Sequence, residues 1–385
     1  MIRIGKIRIL LALSVLMLAG QVTAASAREL IDLAGRTVTV PDHVDRIILG
    51  EGRFLPALAI VEPDDPVALL AGIMSDLQML DPATYGQYAE RFPALRDVPA
   101  IGRSTADSFS LEQAISLAPQ VAIFGTSGGH GPNPRNKALI DTLEAAGIAI
   151  VFVDFREQPF RNTPRSIALL GELLGHSERA AAFNAEYQAQ VDALNARLAR
   201  VAIQPDVFLE SRVGLHDQCC ETMGSKMLGR FITMAGGRNI AEDIVPGVVG
   251  TVSVEYLLEA QPDHYIATAI GSATSADPQD GRVILGGGAD PEQARASLRQ
   301  VMQRPGLDQL DAVRQNRVHS IWHHFYNSPF NIAAVQALAK WLHPEAMADV
   351  SPDAVLAKFY DEFQPVALDG VYWITLSEPD EEPGG

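Results

Sequence analysis

Two cysteines are all this 385-residue chain contains, and they are neighbours, Cys219 and Cys220 in the stretch HDQCCETMG. That scarcity excludes a fold stapled by many disulfides and a cysteine zinc site, whose ligands sit two to four residues apart. Basic residues are also in short supply, 30 Lys and Arg against 47 Asp and Glu, giving a formal charge of −17. The deficit argues against nucleic acid and anionic membrane surfaces as partners, because both recruit positive charge. An anionic ligand stays possible, since nearby arginines override the global field at short range. A membrane span is missing too. The long apolar run, Ile9–Gly20, falls short of the roughly 20 residues that cross a bilayer.

That run has Arg3, Lys6 and Arg8 before it and Ala25-Ser26-Ala27 behind it, the three parts of a secretory signal peptide. Cleavage is expected after Ala27, with Ala24 as the second choice, so residues 1–27 are assigned to the leader. No cysteine follows the run, so no lipid anchor is expected. The mature chain should be free of the membrane, in an oxidising space such as a bacterial periplasm, where disulfides persist. Removing the leader takes the formal charge from −17 to −20. A hydrophobic content of 47% reads as globular, and about 360 mature residues ask for two domains.

The chain then alternates strand and helix patterns. Thr37–Val40, Arg46–Leu49, Gln120–Phe124 and Ala149–Val153 read as strands, with a helix over Lys137–Ala146. Phe183, Tyr187, Val191, Leu194, Leu198 and Val201 follow at spacings of four, four, three, four and three, one apolar stripe on a helix. Without glycine or proline over Glu178–Val201, that helix should run about 35 Å at 1.5 Å per residue. Beyond it come strands Val207–Glu210, His264–Thr268 and Val318–Trp322 and a helix over Lys226–Ala235. Two further helices each open with Ser-Pro, an N-cap and a proline at the first helical position, in SPFNIAAVQALAKWL and SPDAVLAKFYDEF. The halves echo each other. SLEQAISLAPQVAI and SVEYLLEAQPDHYI share Ser-x-Glu, six residues, Pro, three residues and Ile, each a capped helix, a turn and a strand.

The expectation is α/β, with two Rossmann-like lobes joined by one long helix and a ligand cleft between them. Its boundaries are 28–176, 177–203 for the connecting helix, 204–368, and a tail over 369–385 whose SEPDEEPGG end reads as disordered.

In order and spacing, PDHVDRIILG, SLEQAISLAPQVAIF, IALLGELLGHSERAAAF, SVEYLLEAQPDHYI and LDAVRQNRVHSIW resemble one family. It is the periplasmic substrate-binding proteins of ABC importers for ferric siderophores and cobalamin. The resemblance implies a non-enzymatic receptor, expected to be a monomer, that closes slightly on its ligand and delivers it to an ABC importer permease. It also implies one acidic docking residue on each lobe, here Glu112 and Glu255. Their own sequence context gives them only a helix-capping role, since an acid in the first turn favours the helix dipole.

Ligands of open α/β sheets bind beyond the carboxyl ends of the strands. Applied here, that rule selects GEGR with Glu51 and Arg53, Arg103 in IGRSTADS, the loop GTSGGHGPN, and Arg156 and Arg161 in DFREQPFR. In the second half it selects Arg212 and the cysteine pair, then His323, His324 and Tyr326 in WHHFYNSP. Five arginines facing a cleft would suit an anionic, oxygen-rich ligand, because guanidinium presents a planar fork. At least two of the five are expected to line the site. His323 and His324 lack a third partner at metal spacing, so a polar contact to an organic ligand is expected and no metal or cofactor is assigned. In an oxidising space Cys219 and Cys220 should pair with each other or across a dimer, and a vicinal pair would lock a turn at the cleft and present an apolar S–S face. A ferric siderophore is the expected cargo, with a corrinoid or haem carrier as the alternative. The rival from another class is a secreted α/β hydrolase. GTSGG matches a nucleophile elbow around Ser127, but the GHGPNP that follows cannot start the helix an elbow needs.

Overall fold

The computed structural model describes residues 26–216, 219–274 and 281–376. Most of the expected leader therefore lies outside the described residues, as does the tail from 377 on.

The first lobe is built on four parallel strands in the order Leu70–Ile73, Ile47–Leu49, Val121–Gly125 and Ala149–Val153. Their near-continuous apolar runs are what a sheet covered on both faces requires, and Ile47, Ile48, Leu49, Val121 and Ala122 are all fully buried. A hairpin of Ala27–Ile31 and Thr37–Pro41 packs beside this sheet. Its first strand is absent from the sequence reading. Arg28 fastens it by donating to the carbonyls of Glu172 and Leu173, each at 2.9 Å. Those carbonyls lie in the last turn of the helix Pro159–Leu174, where backbone donors run short and side chains commonly cap the end.

The connecting helix spans Ser177–Leu198, 22 residues. It ends three residues short of Val201, and the expected 177–203 segment is helical only to Leu198. Its buried stripe is Ala180, Phe183, Tyr187, Val191 and Leu194, four of the six residues expected plus an alanine. Phe183 sits with its ring centre 5.2 Å from those of both Phe359 and Phe363, on the second lobe's last helix. Tyr187 donates to Asn331 Oδ1 at 2.6 Å. The same helix packs on Pro159–Leu174 and Leu55–Val61 of the first lobe. One apolar core therefore runs from Ile123 through Phe183 to Val207 and Leu338. Such continuity resists free hinging, because every opening motion must expose part of that core.

In the second lobe, parallel strands Asp206–Glu210, His264–Ala269 and Val318–Trp322 form the centre. Glu221–Met223 and Val249–Thr251 add antiparallel strands on one side and Trp373–Thr375 on the other. This last strand corrects the expected tail boundary at 369: Tyr372 and Ile374 are buried against the sheet, which holds the chain in place to Thr375. The repeated unit folds alike in both lobes. Ser110 caps Leu111–Ser116 by accepting from Gln113 N, and Ser253 caps Val254–Ala260 by accepting from Tyr256 N. Ser351 caps Pro352–Phe363 as its Ser-Pro pair implies. Ser328-Pro329 does not act that way. The Ser328 hydroxyl accepts from Phe330 N at 3.1 Å in a local turn, and its helix starts later, at Asn331.

Candidate functional site

A cavity of about 340 Å³ opens between the lobes. The first lobe contributes Arg53, Met79, Leu80 and His130. The second contributes Arg212, Leu215, Met223, Met227, Val249, Ile270, Arg282 and the His323, His324, Tyr326 group.

Its floor is organised by GEGR. After strand Ile47–Leu49 the chain makes a tight turn at Gly52–Phe54. Gly52 is required there: an added Cβ would collide with the Met74 carbonyl oxygen, and its N–H donates to Asp76 Oδ1 at 2.6 Å. The turn aims Arg53 inward. Its Nε donates to Asp76 Oδ2 at 3.1 Å and its Nη2 to Glu51 Oε1 at 2.6 Å. Its Nη1 crosses to the other lobe, reaching Tyr326 Oη at 2.8 Å and His324 Nδ1 at 3.1 Å. Arg156 converges on the same carboxylate, with Nη2 2.5 Å from Glu51 Oε1. Asp154 sets its direction by accepting from the backbone N–H of Arg156 at 3.0 Å. Asn327 completes the junction, donating to Glu51 at 2.7 Å and accepting from Arg156 Nε at 3.2 Å. Both guanidiniums lie over the Tyr326 ring, 5.2 and 5.3 Å from its centre. Three arginine and carboxylate side chains of one lobe are thus tied to three residues of the other.

The histidines are shaped by this network. His323 and His324 fall in a short helical turn, His323–Asn327, so both reach the cavity although neighbours on a strand would diverge. His324 Nε2 donates to Leu80 O at 2.9 Å while its Nδ1 accepts from Arg53. His130 donates through Nδ1 to Ser104 O at 2.8 Å and accepts from Tyr326 Oη at 3.3 Å. His323 Nδ1 meets Thr268 Oγ1 at 2.9 Å. Both ring nitrogens of His130 and His324 are therefore engaged by protein groups. Only His323 Nε2 has no protein partner among the described residues.

Burial, with the Arg53 charge beside it, lowers His130 to about 4. Burial holds His323 and His324 well below the usual imidazole range, helped by His324 and Arg53 respectively. Burial opposes the charge on Glu51, but Arg156 and Arg53 outweigh it and hold its carboxyl below the usual range. Asp76 is pushed up to about 6 by burial and by the Glu51 charge.

These shifts carry a stability consequence. Burial also lowers His264 to about 4 and His319 well below its usual range. Five imidazoles stay neutral in the fold, while the unfolded chain takes up protons near 6.5. The unfolded state thus binds more protons as pH falls, and stability drops between about 6.5 and 4. Asp76 and Asp81, which burial raises to about 6, and Glu210, also raised by burial, lean the other way but are fewer. Calorimetry should show a Tm about 10 °C lower at pH 4.5 than at pH 7. A level profile would mean that the imidazoles titrate freely.

Of the five arginines expected at the site, Arg53 and Arg212 line the cavity and Arg156 braces its floor. Arg103 and Arg161 do not. Arg103 is exposed, with its backbone held by Ser108 Oγ at 2.9 Å in a capped turn. Arg161 is exposed on the first turn of the helix Pro159–Leu174. The cysteines also correct the expectation. Cys219 and Cys220 are joined to each other, but neither lines the cavity. Cys220 is fully buried in the second lobe's apolar cluster with Phe208, Tyr265 and Leu285, and Cys219 packs on it. Glu112 and Glu255 are exposed, each in the first turn of its repeated helix.

Ser127 Oγ has no hydrogen-bond partner among the described residues, and the next helix begins only at Lys137. Asp76, His130, Asn327 and the three methionines went unselected. His130 stood in the glycine-rich loop already singled out, which was the available signal.

A family model described as "Periplasmic binding protein" matches residues 81–322. Among solved structures, the chain is similar to a TroA-like periplasmic binding protein, FepB, from Veillonella parvula. The identity is 25%, the TM-score 0.79, and 91% of this chain and 99% of that one are covered. CeuE from Helicobacter pylori, in a Ni-His complex, gives 17% identity and a TM-score of 0.62 over 88% and 96% of the two chains. The periplasmic heme-binding protein RhuT from Roseiflexus sp. RS-1 gives 17% and 0.55 over 79% and 99%. No curated protein matches.

Proposed function

The chain belongs to the periplasmic binding protein family, and from that premise we propose that it captures a ferric siderophore and delivers it to an ABC importer. Proteins of this family bind solutes and hand them on without transforming them. The observation that carries the siderophore reading is the convergence of guanidinium, phenol and neutral imidazole groups from both lobes on one cavity. The guanidinium N–H groups and His323 Nε2 hydrogen-bond to the oxygen donors of a chelate from outside. The iron stays wrapped in its own ligands, because His130 and His324 already spend both nitrogens on the protein. His323 Nε2 is the group left to contact the cargo. A cavity of about 340 Å³ lies near the lower end of ligand pockets, roughly 300–1,000 Å³.

Within this proposal the leader is cleaved near Ala27, the mature protein works in the periplasm as a monomer, and Cys219–Cys220 is oxidised there. Glu112 and Glu255 meet basic pockets of the permease.

Trp322 provides the test, since its ring centre lies 5.2 Å from that of His324. Titrating the purified mature protein with ferric siderophores, haemin and cobalamin should quench tryptophan fluorescence with one ferric chelate in a saturable, one-to-one manner. Response to haemin or cobalamin alone would replace the siderophore reading.

A further inference from the structure

The cations of the cavity are already committed to partners within the protein. Arg53 is held between Glu51 and Asp76 at 2.6 and 3.1 Å, and Arg156 ends on the same Glu51 oxygen. Arg212 makes a two-point pair with Glu221 through Nε at 2.8 Å and Nη2 at 2.7 Å. Its backbone N–H donates to Thr268 Oγ1 at 2.7 Å, which fixes the pair beside His323. Arg282 lines the cavity as well and is itself engaged in an interaction. The three imidazoles add no charge while they remain neutral. Paired in this way, the site offers hydrogen-bond donors with little net positive charge.

Much of the remaining lining is apolar and comes from both lobes. Met79, Leu215 and Val249 line the cavity while 43, 37 and 39% exposed. Met223, Met227 and Ile270 belong to the lining as well. Large apolar side chains kept in water at the mouth of a polar pocket mark a surface that a ligand covers. The backbone is strained in this lining too. Arg212 and Met227 adopt φ of 48° and 51°, a conformation that side-chain-bearing residues rarely take, and such strain gathers at functional sites.

A ferric ion bound by three hydroxamate monoanions is neutral overall. Bound by three catecholate dianions it keeps three negative charges. Drawing that trianion into this cleft would strip its hydration without unpaired cations to replace it. The neutral complex loses little, and its hydrocarbon periphery gains by covering the apolar wall.

Resting on the ferric-chelate reading of the cleft, we infer that the cargo is a ferric complex without net charge and with an apolar periphery, of the trihydroxamate kind. The polar floor holds its oxygen atoms, and the methionine and aliphatic wall holds its skirt.

The test is equilibrium binding of the mature protein to ferrichrome, a neutral trihydroxamate, and to ferric enterobactin, a trianionic tris-catecholate, each at low and high salt. Ferrichrome should bind at least about 100-fold more tightly. Its affinity should change less than about twofold between roughly 20 and 500 mM NaCl, because no charge pair across the interface is being screened. Val249→Asp, at an exposed position that leaves folding intact, should weaken ferrichrome binding about tenfold by wetting the wall. Enterobactin binding as tightly as ferrichrome, or affinity that falls steeply with salt, overturns this inference and leaves the ferric-chelate reading standing. Binding of neither chelate overturns both.

Discussion

Replacing Glu51 with alanine should lower the stability of this protein by about 3–5 kcal/mol, the cost of removing one partner from a buried ion pair. Glu51 is 2% exposed, and its Oε1 alone receives Arg53, Arg156 and Asn327. Without it, two guanidiniums that are 5 and 6% exposed face each other with only Asp76 to compensate them. Asp76 is a poor substitute, since it reaches Arg53 alone, through Nε at 3.1 Å, and leaves the Arg156 guanidinium without a carboxylate. The cost should appear as a fall in Tm of about 4–7 °C. Glu51→Gln keeps the shape and one acceptor, so it should lose less stability than alanine. A Glu51→Ala protein melting within about 2 °C of the parent would show that the arginines are held by something else.

The second large effect concerns delivery. Changing both Glu112 and Glu255 to arginine should leave chelate binding unaltered, because both side chains are exposed on the first turns of their helices and neither lines the cavity. Uptake by cells that depend on this protein should fall at least about 100-fold, since a like charge facing a basic pocket costs several kcal/mol at each contact. A charge restored at one site should recover part of the loss. Loss of chelate binding in the double variant would move these residues out of a docking role. So would normal uptake.

How much of this was legible in the sequence depends on the range of the interactions. Strand Ala149–Val153, the capped helices after Ser110 and Ser253, and the stripe from Phe183 to Leu194 follow from local patterning. Their structure matches the reading almost residue for residue. The strand Trp373–Thr375 was missed because three residues carry too little period to register, and only pairing with Val318–Trp322 holds them.

At the site, local rules found the loops but not the state of the charges. The strand-end rule selected Arg53, Arg156 and Arg212, which the fold brings to the cavity lining and its floor. It could not foresee that Glu51 also captures Asn327, 276 positions away. Five arginines read as open positive charge became three compensated ones and two on the outer surface. The cysteine pair shows the same limit. Adjacency in sequence fixed which sulfurs could meet, while the direction of the loop, set by backbone pairing of Cys220 with Val252, turned Cys220 into the core, with Cys219 half-buried against it and neither lining the cavity.

The central claim is that an intact ferric chelate sits between the lobes. Anomalous diffraction at the iron absorption edge, on crystals grown with ferrichrome, addresses it without relying on activity. The account predicts one iron peak inside the cavity bounded by Arg53, His130, His323 and Tyr326, enclosed by density for the whole chelator. Iron on an outer face, or an interlobe cavity without iron in crystals that hold the chelate elsewhere, would contradict it.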